Sequence, residues 1–397
     1  MSSTQLGRSA LRTFISLLLL ANLAGCTWLK GLWSSDDEDK DLEPAPLVKI
    51  DPEIKVRELW STGIGNGQGK FYNRLQVALY GGAIYAASAN GSVQSVDTAK
   101  GKRRWDVDVD TEISGGVGVG GDMVLVGTLK GVVIALESGT GKEIWRSTVS
   151  SEVLAPPAAD WDVVVVQTLD GKIFGLDAQT GVRRWAHDSS MPLLTVRGTA
   201  PPVLADGVAY VALASGRVLA IRGDSGSILW DGRIANPQGQ SEIERAIDID
   251  GRPLISGSNI YAVTYQGKLG GLQLGNGRPT WARDASSFES ISEGFGNIYV
   301  SGADGTVSAF EVGGGALRWQ NDQLARRKLT APAAVGSYVA VADFDGYVHF
   351  LSQVDGHFVA RARADSDGVR ADMISDGDRL YVFGNDGELS CFAVGAP

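Results

Sequence analysis

Cysteine, histidine and methionine are scarce in this 397-residue chain, at two, three and four residues. Two cysteines cannot furnish a disulfide framework. The three histidines, His187, His349 and His357, show no metal-ligand spacing and are read as surface or turn residues, so no metal is expected. Basic charge is also short: 36 Lys and Arg face 46 Asp and Glu, a net charge of −10. That balance argues against a nucleic-acid partner, whose phosphates need a basic face. No G-x-S-x-G elbow and no Cys/His pair that could serve as a nucleophile is present. Gly116 to Gly121 matches G-x-G-x-x-G, but a β-pattern follows instead of the helix that phosphate binding requires. Asp106, Asp108 and Asp110 resemble the start of a calcium loop, yet Thr111 stands where its glycine belongs, and they are read as the polar face of a strand. The expectation is a chain with no catalytic residues.

Glycine, by contrast, is abundant at 52 residues, and it marks a repeat. Gly171 to Trp185, Gly-Lys-Ile-Phe-Gly-Leu-Asp-Ala-Gln-Thr-Gly-Val-Arg-Arg-Trp, recurs with first glycines at Gly91, Gly131, Gly171, Gly216, Gly267, Gly305, Gly346 and Gly387. A tryptophan closes six copies fourteen residues on, at Trp105, Trp145, Trp185, Trp230, Trp281 and Trp319; the seventh copy has Ala360 there. Each glycine follows a β-rich apolar run such as Val163-Val164-Val165-Val166, and Asp-x-x-Thr/Ser-Gly forms the next turn. A unit of roughly forty residues with strand patterning and no 3.6-residue period cannot bury both faces alone, so neighbours must stack. The fold expected is an all-β, eight-bladed propeller of four-stranded antiparallel blades. Trp60, ahead of the first copy, lies on a strand that completes the last blade and closes the ring. Cys391 takes a position that other copies fill with Ser, Ala or Gly, so it is read as a small packing residue.

Three domains follow: residues 1–25 as a signal peptide, 26–53 as a flexible tether, and 54–397 as the propeller. Arg8 and Arg12 precede an apolar run at residues 14–20, too short to span a bilayer as a helix. Leu23-Ala24-Gly25-Cys26 follows, and it resembles the lipobox of bacterial lipoproteins. That resemblance implies a lipid on Cys26 and, with Thr27 after it, sorting to the outer membrane. The period is broken by insertions at residues 61–83, 186–208 and 231–259, where partner contacts are expected.

The blade motif resembles the quinoprotein-type propeller. With the lipobox, the eight repeats, Met191-Pro192-Leu193-Leu194-Thr195-Val196-Arg197-Gly198 and the segment from Ser241 to Asp250, the chain resembles the BamB family of the outer-membrane β-barrel assembly machinery. That family resemblance implies a non-catalytic lipoprotein scaffold on the periplasmic face of the outer membrane, without a cofactor. It also implies binding to the periplasmic domains of BamA, association with other subunits of the machinery, and help to unfolded outer-membrane proteins. The contacts it implies are Leu194, Val196 and Arg197 from one loop and Asp248 and Asp250 from the next insertion. Two apolar groups beside an arginine would make an anchor, and two carboxylates would meet basic groups opposite. The alternative is a quinoprotein dehydrogenase holding pyrroloquinoline quinone and calcium, but such enzymes are longer and often carry adjacent cysteines, which this chain lacks.

Overall fold

The computed structural model describes residues 43–70, 74–189, 198–237 and 247–395, and among these it contains strands and no helix. The strands form eight four-stranded antiparallel sheets. Blade 3 shows how the repeat builds one. Its strands are Ala158–Ala159, Val163–Gln167, Lys172–Asp177 and Arg183–Asp188, each paired with the next. The second strand is buried along its whole length, whereas the outermost strand buries little beyond Trp185. Sheets stacked face to face need apolar residues on both sides of their middle strands, which explains the continuous valine runs. Asp177 folds the turn before the outer strand. Its Oδ1 accepts from the backbone N–H groups of Gln179 and Thr180, and Arg184 donates to its Oδ2 at 2.6 Å. Hydrogen bonds from Thr180 and Arg184 hold its carboxyl down at about 2.

Blades 1 to 7 occupy residues 78–108, 115–148, 158–188, 203–233, 254–285, 292–321 and 333–363. Blade 8 combines residues 374–395 with the strand Lys55–Gly63, which pairs with Glu388–Gly395, so the two chain ends share one sheet as the sequence suggested. Seven tryptophans bind seven of the eight blades to their successors. The indole N–H of Trp145 in blade 2 donates to the Ala178 carbonyl in the turn of blade 3, at 2.8 Å. The same bond runs from Trp60 to Thr98, Trp105 to Ser138, Trp185 to Gly223, Trp230 to Leu274, Trp281 to Val312 and Trp319 to Gln353, all between 2.7 and 3.1 Å. Each ring lies on the glycine of that turn: Gly181 has φ +71°, and a β-carbon there would sit 2.6 Å from Trp145. The repeated Asp-x-x-Thr/Ser-Gly is thus a landing site for the preceding blade's tryptophan.

This also explains Ala360. A tryptophan in blade 7 would need a turn between the two outer strands of blade 8, and those two strands are the propeller's first and last, with no turn joining them. Ile54 fills the space, buried with Val359, Ala360, Phe392 and Val394. Ala360→Trp should therefore destabilise the protein by about 1–3 kcal/mol through overpacking, read as a lower urea midpoint.

Residues 45–53, placed in the tether from sequence, instead run along blade 7. Ala45 N–H donates to the Ala325 carbonyl at 2.9 Å and Glu53 N–H to Val359 at 2.8 Å. Arg327 and Arg361 donate to the carbonyls of Ala45 and Val48. Both arginines belong to a buried network that corrects the reading of His349 as a surface or turn residue. His349 is fully buried; its Nε2 donates to Asp343 at 3.0 Å and its Nδ1 accepts from Arg361 at 3.0 Å. Burial holds its pKa below the usual imidazole value despite Asp343. Sequence spacing could not reveal this, because Arg327 and residues 45–48 come from elsewhere in the chain. Cys391 is buried opposite Trp60 as expected, and burial pushes its thiol up to about 11.

The glycines of the G-x-G-x-x-G match lie in the strand Gly115–Gly120 and its turn. A β-carbon on Gly118 would lie 1.9 Å from the Pro157 carbonyl, so these glycines let two innermost strands approach.

Candidate partner-binding site

In an antiparallel blade the outer strand ends beside the turn between the second and third strands, so the insertions emerge at the end of the ring that carries the repeat's first glycines. Backbone bonds fix them there: Ser189 N–H donates to Gly171 at 3.0 Å and Ile234 N–H to Gly216 at 2.9 Å. Leu194, Val196 and Arg197 lie outside the described residues, as does Cys26. Gly198, Asp248 and Asp250 are described.

Residues 247–252 form the floor of this site. Ile247 and Ile249 are buried, at 2% and 1% exposure, and hold the segment down by their apolar side chains. Asp248 is also buried, and Asp250 is half-buried. Of the two carboxylates that the sequence pointed to, Asp250 is the more accessible. The Asp248 carbonyl accepts from Tyr265 N–H at 2.8 Å. A β-carbon on Gly198 would sit 2.8 Å from an Asp250 carboxylate oxygen, and one on Gly251 would sit 2.2 Å from the Glu289 carbonyl. Asp250 thus lies directly against Gly198, the residue that follows Arg197 in the sequence.

Sequence reasoning missed two neighbours. Arg74, in the segment that enters blade 1, forms a two-pronged ion pair with buried Glu289 at 2.8 and 2.5 Å. Tyr265 stacks on Phe288 with ring centroids 5.3 Å apart. Arg74, Phe288 and Glu289 come from irregular connections between blades, and Tyr265 from the hairpin turn between the second and third strands of blade 5. The available signal was their location, since Arg74 lies inside an insertion that breaks the period.

Burial pushes the Asp250 carboxyl up to about 7, and Asp248 adds to this while Arg74 opposes it. Glu289 also rises to about 7, because burial outweighs the attraction of Arg74. An acid whose folded pKa exceeds its unfolded value of about 4 binds its proton more tightly in the folded state. Its contribution is fully present below the unfolded pKa and is lost as pH rises through the folded one. Wild-type protein should therefore gain more thermal stability than Asp250→Asn on going from pH 8 to pH 6, measured by paired melting curves.

Further polar groups cross the channel mouth at the same end. Arg252, from the blade 5 entry, donates to Gln76 from blade 1 at 3.2 Å. Gln76 donates to Asp372 at 3.1 Å, Ser290 donates to Asp372 at 2.6 Å, and Arg252 N–H donates to the Ser290 hydroxyl at 3.1 Å. Blades 1 and 5 are four apart in a ring of eight, so this closed circuit ties opposite sides of the ring. These residues line a cavity of about 300 Å³. Among the described residues, no group of three or more His, Cys, Asp or Glu side chains could hold a metal ion.

Eight four-stranded blades, closed by pairing of the propeller's first and last strands and with irregular insertions gathered at one end, define an eight-bladed β-propeller with one elaborated face. A family model described as "Outer membrane protein assembly factor BamB" matches residues 89–321 and 303–394. The Pseudomonas aeruginosa protein of that name is 55% identical over 360 residues, covering 91% of this chain and 95% of the relative. The crystal structure of BamB from Moraxella catarrhalis superposes with a TM-score of 0.77 at 30% identity, covering 85% of this chain and all of that one. The chain belongs to the BamB family. Quinohemoprotein alcohol dehydrogenase from Comamonas testosteroni is also similar, with TM-score 0.67 at 15% identity over 86% of this chain and 77% of that one. That likeness shows the fold alone.

Proposed function

We propose that the chain is a non-catalytic scaffold lipoprotein of the outer-membrane β-barrel assembly machinery. It is anchored through Cys26 at the periplasmic face of the outer membrane of a Gram-negative bacterium. It binds the periplasmic domains of BamA through Leu194, Val196, Arg197, Asp248 and Asp250, joins other subunits of the machinery, and assists unfolded outer-membrane proteins. Family membership supports the assembly role. The observation that carries the site is the packing of Asp250 against Gly198, which brings two insertions distant in sequence into one surface. The backbone packing of residues 250–252 against 289–290 limits the ordering cost of association at Asp250.

Co-purification from envelope membranes tests the reading. Tagged wild-type chain should retain BamA, and Asp250→Lys, which reverses one of the proposed charges, should retain at least tenfold less, about 1.4 kcal/mol of binding. Equal retention would remove Asp250 from the site. The dehydrogenase alternative predicts a quinone chromophore and dye-linked alcohol oxidation in the purified protein; the scaffold reading predicts neither.

A further inference from the structure

We propose that the channel mouth holds a binding site for a small zwitterion, an α-amino acid with an apolar side chain, between the guanidinium of Arg252 and the carboxylate of Asp372.

Two unlike charges line one cavity there without pairing. Among the described residues, the Arg252 guanidinium makes a single hydrogen bond, to Gln76 Oε1 at 3.2 Å, and its other N–H donors have no partner. Asp372 accepts from Gln76 at 3.1 Å and from Ser290 at 2.6 Å, both on Oδ2, and its Oδ1 accepts from no described group. Gln76 thus stands between them, its amide oxygen toward the cation and its amide nitrogen toward the anion. Burial lowers the Arg252 pKa and the charge of Asp372 raises it, so each lies within the other's field. A confined guanidinium with no carboxylate against it is costly unless an anion meets it.

The two groups are held in place before any ligand arrives. Gln76 is buried, and the Arg252 N–H is fixed on the Ser290 hydroxyl at 3.1 Å. Gly251, next to Arg252, lies against the Glu289 backbone with no room for a side chain. Preorganisation of this kind lowers the cost of binding. Leu254, Ile291, Pro332 and Met373 supply apolar walls, and Glu293 adds negative charge to the lining. The complementary molecule therefore has a carboxylate for Arg252, an ammonium for Asp372 and an apolar body. The cavity of about 300 Å³ lies at the lower end of the range for ligand pockets, about 300–1,000 Å³, which limits that body to amino-acid size.

Ligand-observed NMR titration of the purified full chain tests this with L-leucine, isocaproate, which lacks the ammonium, and isoamylamine, which lacks the carboxylate. Leucine should bind wild type at least tenfold more tightly than either analogue, about 1.4 kcal/mol. Arg252→Gln should reduce leucine to the level of isoamylamine and bind isoamylamine no more weakly than wild type does. Asp372→Asn should reduce leucine to the level of isocaproate and bind isocaproate no more weakly. A cavity that is merely loosened would weaken all three ligands together, so the crossed pattern separates charge recognition from lost packing. Absence of leucine binding to wild type, equal binding of the three ligands, or loss of all three in either variant would overturn the inference. None of these outcomes bears on capture of BamA, which is measured separately.

Discussion

Trp145→Ala lowers the free energy of unfolding by about 3–5 kcal/mol, the range for emptying a buried aromatic site. Trp145 is 7% exposed, and its ring rests on Gly181 in the next blade. Truncation opens a cavity between blades 2 and 3 and leaves the Ala178 carbonyl without its indole donor. Lining atoms on either side lose their contacts outright, because the backbone of each sheet is held by its own ladder and cannot collapse into the gap. Trp145→Phe keeps most of the volume and loses the hydrogen bond, so it should fall between the two. The check is chemical denaturation of all three proteins. A loss below about 1 kcal/mol for alanine would mean that the blades are not joined through these rings.

Gly251→Ala is the second large effect, and it acts on function more than on the fold. Its β-carbon would lie 2.2 Å from the Glu289 carbonyl oxygen and 2.7 Å from the Ser290 nitrogen, both backbone atoms, so two connections must separate. Strain of this kind costs about 1–3 kcal/mol. The displaced floor takes Asp250 away from Gly198, and binding to BamA's periplasmic domains should drop at least tenfold, about 1.4 kcal/mol. Gly63→Ala is the matched control, because a β-carbon there meets nothing within 4 Å and its backbone needs no positive φ. It should leave both stability and binding unchanged. Equal binding by the Gly251 variant would show that the floor does not shape the partner surface.

The ring was legible in the sequence because its physics is periodic. Each Gly, each Asp-x-x-Thr/Ser-Gly turn and each tryptophan has one job, repeated in every blade, and Trp60 standing before the first copy announced the closure. The tryptophan missing from the seventh copy was visible as Ala360, but its reason was not: it needs the knowledge that blade 8 has no turn for a ring to land on. The site was only partly legible. The insertions could be located where the period breaks, and the Ile247-Asp248-Ile249-Asp250 alternation could be seen. Burial of Asp248 could not, because it depends on the tertiary fold, in which its carbonyl meets Tyr265 N–H from the hairpin turn of blade 5. Arg74 and Glu289 are 215 residues apart and carry no local pattern; what joins them is the curvature of the ring. His349 was misread for the same reason, since its partners Asp343 and Arg361 flank it within blade 7 but Arg327 and residues 45–48 complete the network from outside.

The most direct test of the account is calorimetric titration of BamA's periplasmic domains into the purified chain, wild type beside Arg197→Glu and beside Trp161→Ala. Trp161 is 65% exposed in the turn after the innermost strand of blade 3, at the opposite end of the ring from the insertions. The account predicts saturable binding by wild type and by Trp161→Ala, with at least a tenfold loss for Arg197→Glu. Binding that Arg197→Glu leaves intact and Trp161→Ala abolishes would place the partner on the other face and contradict it.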